Sequence, residues 1–378
     1  MSWCYARTPS GPRLAPIHAV LGALFVALSA LAGEAAKPTL GLPFIVIPAD
    51  NPITPEKISL GKKLFMDRRL SKNATLSCAM CHVPEQGFTQ NELATSVGFE
   101  GKSLRRNAPS LLNVALHDSF QRDGAKASLE VQVWGPLLAA NEMANGNVGN
   151  VVERINSLPD YEGLFEQSFT GKTADEITVG QALAAFERTL LAGDSRFDRW
   201  YFRGDESALN DNEKVGFRIF TSAGCNACHL IDERAAPLTD NRFHNTGTSA
   251  ARQRRKSQSI SVQLAPGVNI TVDPQSLANV SEPEQQDAGR FEVSGDPGDH
   301  YAFKTPTLRN VALTGPYMHD GSIASLQDVI EFYATNYSAF LRYPLGAATW
   351  SARDKSNLRA FLIALTSENA AELMRTTR

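Results

Sequence analysis

Two copies of one short motif are the residues in this sequence whose types and spacing best suit chemistry. Residues Cys78–His82 read CAMCH, and residues Cys225–His229 read CNACH. Cys-x-x-Cys-His is the signature of c-type haem attachment, in which each thiol bonds a haem vinyl group and the histidine binds the iron. Zinc, a short disulfide loop and a redox-active pair are the alternatives for Cys-x-x-Cys, but none requires the adjacent histidine in both copies. The predicted residues of two covalent haems are Cys78, Cys81, His82, Cys225, Cys228 and His229.

The chain as a whole has the size and charge of an ordinary globular protein. Its 378 residues carry a net charge of −3 and 43% hydrophobic residues. This length predicts two domains with a normal core. The charge shows no basic excess, so nothing favours nucleic acid as a partner. Four of the five cysteines lie in the two motifs, which leaves Cys4 alone.

Cys4 lies in residues 1–36, which resemble a signal peptide. The segment begins with basic residues, continues with an apolar run over residues 18–31, and contains small residues at Ala30 and Ala32. A membrane anchor is the alternative, but the run is short for a span. We therefore expect a periplasmic protein without a membrane span, whose mature chain begins near Gly33 or Lys37. Export also suits c-type haem attachment, which takes place outside the bacterial cytoplasm.

A helix before each motif and a closing helix after it must position the two predicted haems. Thr54 is expected to cap the first helix, and Asp211 or Asn212 the helix at residues 210–220. The same pattern in both halves predicts a mostly α fold of two cytochrome c-like domains with long loops, related by duplication, at residues 37–200 and 201–378. The apolar stripes of the closing helices are Val179, Leu183, Phe186 and Leu190, and Leu358, Phe361, Leu362 and Leu365.

The stretch over residues 232–300 is rich in proline, glycine, serine, asparagine and glutamine, which predicts irregular structure. Within it, Val268–Val272 is a candidate arm of a short hairpin. Arg252–Lys256 is a small basic run that fits a solvated loop, with partner docking as the alternative.

Longer motifs around the two haem signatures resemble the bacterial di-haem cytochrome c peroxidases, and the resemblance covers residues 50–365. It implies an oxidoreductase with two c-type haems that reduces hydrogen peroxide at the first haem with electrons from a redox protein. The matching segments are Asn107–Asn113, Asp123–Gly124, Ser128–Gln132, Gly135–Leu137, Asn141–Met143, Thr305–Val311 and Thr314–Gly321.

The sixth ligand of the first haem iron decides whether that iron can react with peroxide. Members of this family often place a removable histidine downstream of the first motif. Here Val97–Glu100 takes that place, and the Phe99 side chain cannot bind iron. The resemblance therefore implies an open iron that needs no reductive activation. His117 is the alternative sixth ligand.

An open iron needs a base that moves the peroxide proton and a polar group that stabilises developing charge. The family supplies these roles with a glutamine and a glutamate. The resemblance places them at Gln132 and Glu142, and it assigns Pro136 and Met143 to the shape of the pocket. Without the family, a lone glutamate would be read as a surface residue.

The second haem has a tyrosine at the place of its sixth ligand. Ser325 is expected to cap a helix whose inward face includes Ile330 and Tyr333. In ordinary family members a methionine occupies the Tyr333 position, fourteen residues after His319. Tyrosine there is similar to the MauG-like branch, which oxidises a protein substrate. The alternative is that Tyr333 is a core residue and Met318 binds the iron.

The region between the haems carries two further expectations from the resemblance. Asn107, Thr314 and Pro316 match positions that hold a calcium ion in this family. Most members also have a tryptophan just before Asp-Gly, where this chain has Arg122. An arginine cannot carry charge as an indole can, and Trp134 is either a substitute for that tryptophan or a core residue.

The sequence therefore predicts a di-haem peroxidase that shares oxidising equivalents between the two irons and uses them on a protein donor. A cytochrome c peroxidase that takes electrons from a small cytochrome c or copper protein is one alternative. A non-catalytic di-haem electron carrier is the other.

Overall fold

A computed structural model describes residues 39–249, 260–265, 268–272, 286–340 and 350–377. The predicted signal peptide and the basic run at Arg252–Lys256 lie outside the described residues. All described residues belong to one unit that spans Pro38–Arg378. The division at residues 37–200 and 201–378 stays a prediction.

The described residues are mostly helical, which confirms the mostly α part of the predicted fold class, and their few strands are short. The α-helices are α1 Pro55–Met66, α2 Cys78–Cys81, α3 Leu129–Gln132, α4 Trp134–Leu138, α5 Val148–Ser157, α6 Leu164–Ser168, α7 Glu176–Glu187, α8 Arg196–Arg203, α9 Asp211–Ser222, α10 Phe291–Ser294, α11 Leu326–Phe340, α12 Ala352–Ala364 and α13 Ala370–Thr376. The strands are β1 Phe243–His244, β2 Ile260–Ala265, β3 Val268–Val272 and β4 Phe303–Lys304.

The helices before the two motifs begin at side chains that satisfy free backbone N–H groups. The Thr54 hydroxyl accepts a hydrogen bond from Lys57 N at 3.3 Å, which confirms the predicted cap of α1. The predicted caps of α9 are wrong. Asn210 caps it instead, because its Oδ1 accepts from Glu213 N at 3.0 Å while Asn210 N donates to the Glu213 carboxylate.

The helix before each motif packs against the closing helix of the same half. In the first half α1 contacts α7, and a Cβ atom at Gly61 would overlap the Ala182 carbonyl oxygen. In the second half α9 contacts α12, and a Cβ atom at Gly216 would overlap the Asn357 carbonyl oxygen. Glycine thus allows the same close helix contact twice. The matching contacts favour the predicted duplication, which stays a prediction.

The two halves also correspond in one loop asparagine each. Asn113 and Asn310 both have a left-handed backbone, with φ values of 63° and 60°. Asn113 Oδ1 accepts a hydrogen bond from Ala192 N, and Asn310 Oδ1 accepts one from Ser367 N, each at 2.8 Å. Each asparagine therefore ties the segment after its motif region to the chain that follows a closing helix.

Two clusters of buried apolar side chains form the core. One contains α1 and α7 together with Trp134. The other surrounds Phe361 of α12 and includes Ile330 of α11. The strands lie outside these helix pairs: β1 pairs with β4, and β2 pairs with β3 in an antiparallel hairpin. The hairpin confirms the prediction for Val268–Val272, and the segment predicted as irregular also contains β1 and α10.

Candidate haem sites

The first motif folds so that its histidine presents one ring nitrogen. Cys78–Cys81 forms a single helical turn, and His82 N donates to Cys78 O at 2.9 Å. His82 Nδ1 lies 3.2 Å from Phe88 O and 3.0 Å from Pro109 O. Two carbonyl oxygens at Nδ1 favour the tautomer with its proton there, so Nε2 is left free to act as a metal ligand. Burial lowers the pKa of His82, which keeps the imidazole neutral.

The second motif builds the same arrangement. His229 N donates to Cys225 O at 3.0 Å, and His229 Nδ1 lies 2.9 Å from Leu238 O. Burial lowers the pKa of His229 as well. Its Nε2 is therefore free to act as a metal ligand in the neutral ring.

A mostly apolar cavity of about 250 Å³ adjoins the second motif. Cys225, Cys228 and His229 line it, and so does Tyr333 of α11. Burial raises the pKa of the Cys225 thiol to about 12, and the four motif cysteines form no disulfide. Two unpaired thiols, a neutral imidazole and an apolar cavity fit a covalently attached haem. The two thiols and the imidazole at Cys78–His82 likewise fit a second covalently attached haem.

The segment that carries Phe99 is fixed against the segment that carries Glu142. Phe99 N donates to Glu142 O at 2.9 Å. Gly98 is buried, and a Cβ atom there would overlap the Asn141 carbonyl oxygen. The half-buried Phe99 ring also lies under Lys72, whose Nζ is 5.4 Å from the ring centroid. The structure thus joins the backbone of Phe99, whose side chain cannot bind iron, to the backbone of Glu142, the predicted base.

Glu142 lies between α4 and α5, close enough to the first motif to influence its thiols electrostatically. Burial raises the pKa of Glu142. Met143 is buried beside it, and its backbone N donates to Pro136 O at 3.0 Å, which closes the loop after α4. Gln132 is half-buried at the end of α3. The roles of these residues stay predictions.

Both candidate sixth ligands of the second haem line the same cavity. Ser325 accepts from Asp328 N at 3.1 Å, which confirms the predicted cap of α11. Burial raises the pKa of Tyr333 to about 12, and a hydrogen bond with Thr246 opposes this shift. Met318 lines the cavity as well. The assignment of Tyr333 as the sixth ligand therefore stays a prediction, with Met318 as the alternative.

A second cavity, of about 130 Å³, is lined by several residues predicted to lie between the haems. Asn107, Thr314 and Pro316 line it together with Arg122 and His117. His117 Nδ1 is 2.8 Å from Asn241 Oδ1, and burial lowers the pKa of His117 to about 4.

Trp134 does not line either of the two cavities described above. It is buried in the first core cluster, where Gly180 of α7 lies close to its indole nitrogen.

Three titratable groups near these sites had no place in the sequence predictions. Lys304 lines both cavities, and burial lowers its pKa to about 8. His244 lies beside Cys228, 2.8 Å from the Asp240 carboxylate. Glu187 is buried with Oε2 unpaired, and burial raises its pKa to about 8. Only the fold brings these groups to the sites, so the sequence held no signal for them.

Comparison with known proteins decides the family. The family described as di-haem cytochrome c peroxidase matches residues 55–207. The methylamine utilization protein MauG of Methylorubrum extorquens is 37% identical over 330 residues, which are 86% of this chain and 82% of that protein. The chain belongs to the di-haem cytochrome c peroxidase family.

The relatives of this chain include proteins named cytochrome c peroxidase and proteins named MauG or MauG-like. The cytochrome c551 peroxidase of Nitrosomonas europaea is 32% identical over 82% of this chain and 80% of that protein. A crystal structure of a MauG-like protein associated with microbial copper homeostasis matches with a TM-score of 0.69 and 31% identity, over 89% of this chain and 96% of that one.

Membership of this family confirms the predicted enzyme class, a di-haem oxidoreductase, and implies two c-type haems. Within the part of the chain that the structure describes, no helix is both long and apolar enough to cross a membrane.

Proposed function

We propose that this protein is a periplasmic peroxidase of the MauG-like type, with Glu142 and Gln132 at the reacting haem. When bound, the two c-type haems supply the iron that reacts with hydrogen peroxide and stores its oxidising equivalents. The observation that carries the proposal is the bond from Phe99 N to Glu142 O. It holds the backbone of Phe99, whose side chain cannot bind iron, against the backbone of the half-buried Glu142.

Glu142 is the proposed proton carrier. Its carboxylate accepts the proton from one peroxide oxygen and returns it to the other, which leaves as water. Gln132 donates a hydrogen bond to the oxygen on which negative charge develops. The complete reaction uses one peroxide, two protons and two electrons from the donor, and it yields two waters. Because burial raises the pKa of Glu142, its proton affinity lies nearer to that of the oxygen it serves.

When the second haem is bound, Tyr333 is proposed to hold its iron together with His229, which lines the same cavity. A phenolate ligand stabilises oxidised iron relative to ferrous iron, whereas a methionine raises the potential. This suits a haem that holds an oxidising equivalent for a protein substrate. The relatives named cytochrome c peroxidase favour a second candidate, in which a small cytochrome c or copper protein is the donor.

The test of the proposed function is Glu142→Gln, with the exposed Glu153→Gln on α5 as its matched control. Stopped-flow absorbance measures the reaction of the purified ferric protein with peroxide. We expect Glu142→Gln to keep its haem content and to react at least ~10²-fold more slowly, while Glu153→Gln reacts like wild type. An unchanged rate in Glu142→Gln would remove this residue from the mechanism.

Two simpler measurements separate the remaining alternatives. Reduced cytochrome c or a reduced copper protein, added with peroxide, is oxidised rapidly if the second candidate is correct. An electron carrier would leave peroxide unconsumed. N-terminal sequencing of the exported protein checks the predicted start near Gly33 or Lys37.

A further inference from the structure

The predicted calcium residues meet in one cavity, but an arginine from the same chain already contacts one of them. Asn107, Thr314 and Pro316 all line the cavity of about 130 Å³, as Arg122 does. Arg122 Nη2 donates to Asn107 Oδ1 at 2.9 Å, and its Nε donates to Asn107 O at 3.4 Å. Both oxygens that Asn107 offers to a cation therefore face a guanidinium group.

The orientation of the Asn107 amide supports these contacts. Its Nδ2 donates to Ala94 O at 3.1 Å, so the hydrogen-bond network itself places Oδ1 on the side of Arg122. A flipped amide would set an NH₂ group against the guanidinium and leave Ala94 O facing an oxygen. Asn107 is buried, with 2% of its surface exposed. The amide is thus fixed as an acceptor for Arg122.

The charges around the cavity do not suit a divalent cation. Calcium prefers six to eight oxygen ligands that include carboxylates. Among the described residues that line this cavity there is no aspartate or glutamate, whereas Arg122 and Lys304 are basic. The third basic residue in the lining, Arg309, is paired with the Asp198 carboxylate. Asp320 attracts Arg122 electrostatically, but burial and the nearby Arg106 outweigh it and lower the pKa of Arg122 to about 10. A divalent ion bound at Asn107 would meet the Arg122 guanidinium at close range.

We propose that the Arg122 guanidinium is a built-in cation that replaces a calcium ion between the two haem sites. The arginine supplies the positive charge and the hydrogen bonds to Asn107 that a bound ion would otherwise supply. The protein therefore keeps this region ordered without calcium. The proposal concerns ion binding alone, so it stands or falls independently of the peroxidase reaction.

The experiment measures calcium directly in the holoenzyme. Elemental analysis gives the calcium content of the purified protein, and calorimetric titration with CaCl₂ and thermal melting with and without EGTA report binding. Wild type is expected to contain no stoichiometric calcium, to take up none, and to melt at the same temperature in EGTA. Arg122→Gln removes the charge and is expected to gain calcium binding. With calcium at ~100 times its dissociation constant, the variant should melt several degrees higher than in EGTA.

Arg68→Gln is the matched control, because Arg68 is an exposed arginine that donates to the Thr75 carbonyl oxygen. It is expected to behave like wild type in every assay. One calcium ion per wild-type molecule, removable by EGTA, would overturn the proposal. It would also be overturned if a folded Arg122→Gln variant, checked by its haem spectrum, bound no calcium. The wild-type measurement alone decides the matter if that variant does not fold.

Discussion

Gly98→Ala is the perturbation that most sharply probes the contact between the Phe99 and Glu142 segments. Gly98 has φ −102°, so alanine meets no left-handed backbone there. The added methyl group would instead overlap the Asn141 carbonyl oxygen, which is backbone and cannot turn away. The two segments must separate, and the bond from Phe99 N to Glu142 O must lengthen or break.

The expected magnitudes follow from this overlap. Overpacking at a buried site costs about 1–3 kcal/mol, which lowers the melting temperature by roughly 1–4 °C for a chain of this length. A shift of about 1 Å in a catalytic group can slow a reaction by ~10²-fold. We therefore expect Gly98→Ala to remain folded, to keep both haems, and to react with peroxide ~10²-fold more slowly.

Gly101→Ala in the same loop is the control. A Cβ atom at Gly101 would meet nothing within 4 Å, although its φ is +76°. Its left-handed backbone alone destabilises this variant by about 1–2 kcal/mol. It should therefore lose stability but keep the wild-type peroxide rate. Stopped-flow kinetics and thermal melting of the three proteins give the comparison. A Gly98→Ala rate equal to that of Gly101→Ala would refute the claim that this contact positions Glu142.

Three further predictions test separate parts of the structure. Burial raises the pKa of Glu187 to about 8 from about 4.3 in an unfolded chain. Between these two pH values the folded protein therefore binds more protons than the unfolded chain. The free energy of unfolding falls as the pH rises through this range, and Glu187→Gln should flatten that slope in denaturant titrations. Tyr333→Met should raise the potential of the second haem in a spectroelectrochemical titration, unlike Tyr317→Phe in the same cavity, and an unshifted potential would show that Tyr333 is not a ligand. Asp198→Asn leaves the buried Arg309 charge without its carboxylate at 2.9 Å and should cost about 3–5 kcal/mol in urea unfolding; a loss below about 1 kcal/mol would contradict this.

Much of the fold could be predicted because its signals are local. The cap at Thr54, the cap at Ser325 and the apolar stripes of the closing helices depend on residues within a few positions of each other. The cap of α9 was misassigned because Asn210 stands directly before two other capping residue types, and only the folded geometry selects it.

The sites depend on contacts between distant segments, which the sequence does not specify. The bond of Arg122 to Asn107, the approach of Gly98 to Asn141 and the burial of Glu187 arise only after the helices pack. Family resemblance supplied the identity of the site residues, but it assigned calcium to a cavity where this chain carries its own cation. Arg122, at the position where most family members have a tryptophan, places a positive charge in that cavity, although the motifs around it match the family.

The iron at His82 is proposed to have no sixth ligand from the protein. Electron paramagnetic resonance of the purified ferric protein tests this most directly. An open iron at His82 gives a high-spin signal from the first haem that changes when peroxide is added. Two low-spin signals that peroxide does not alter would contradict it.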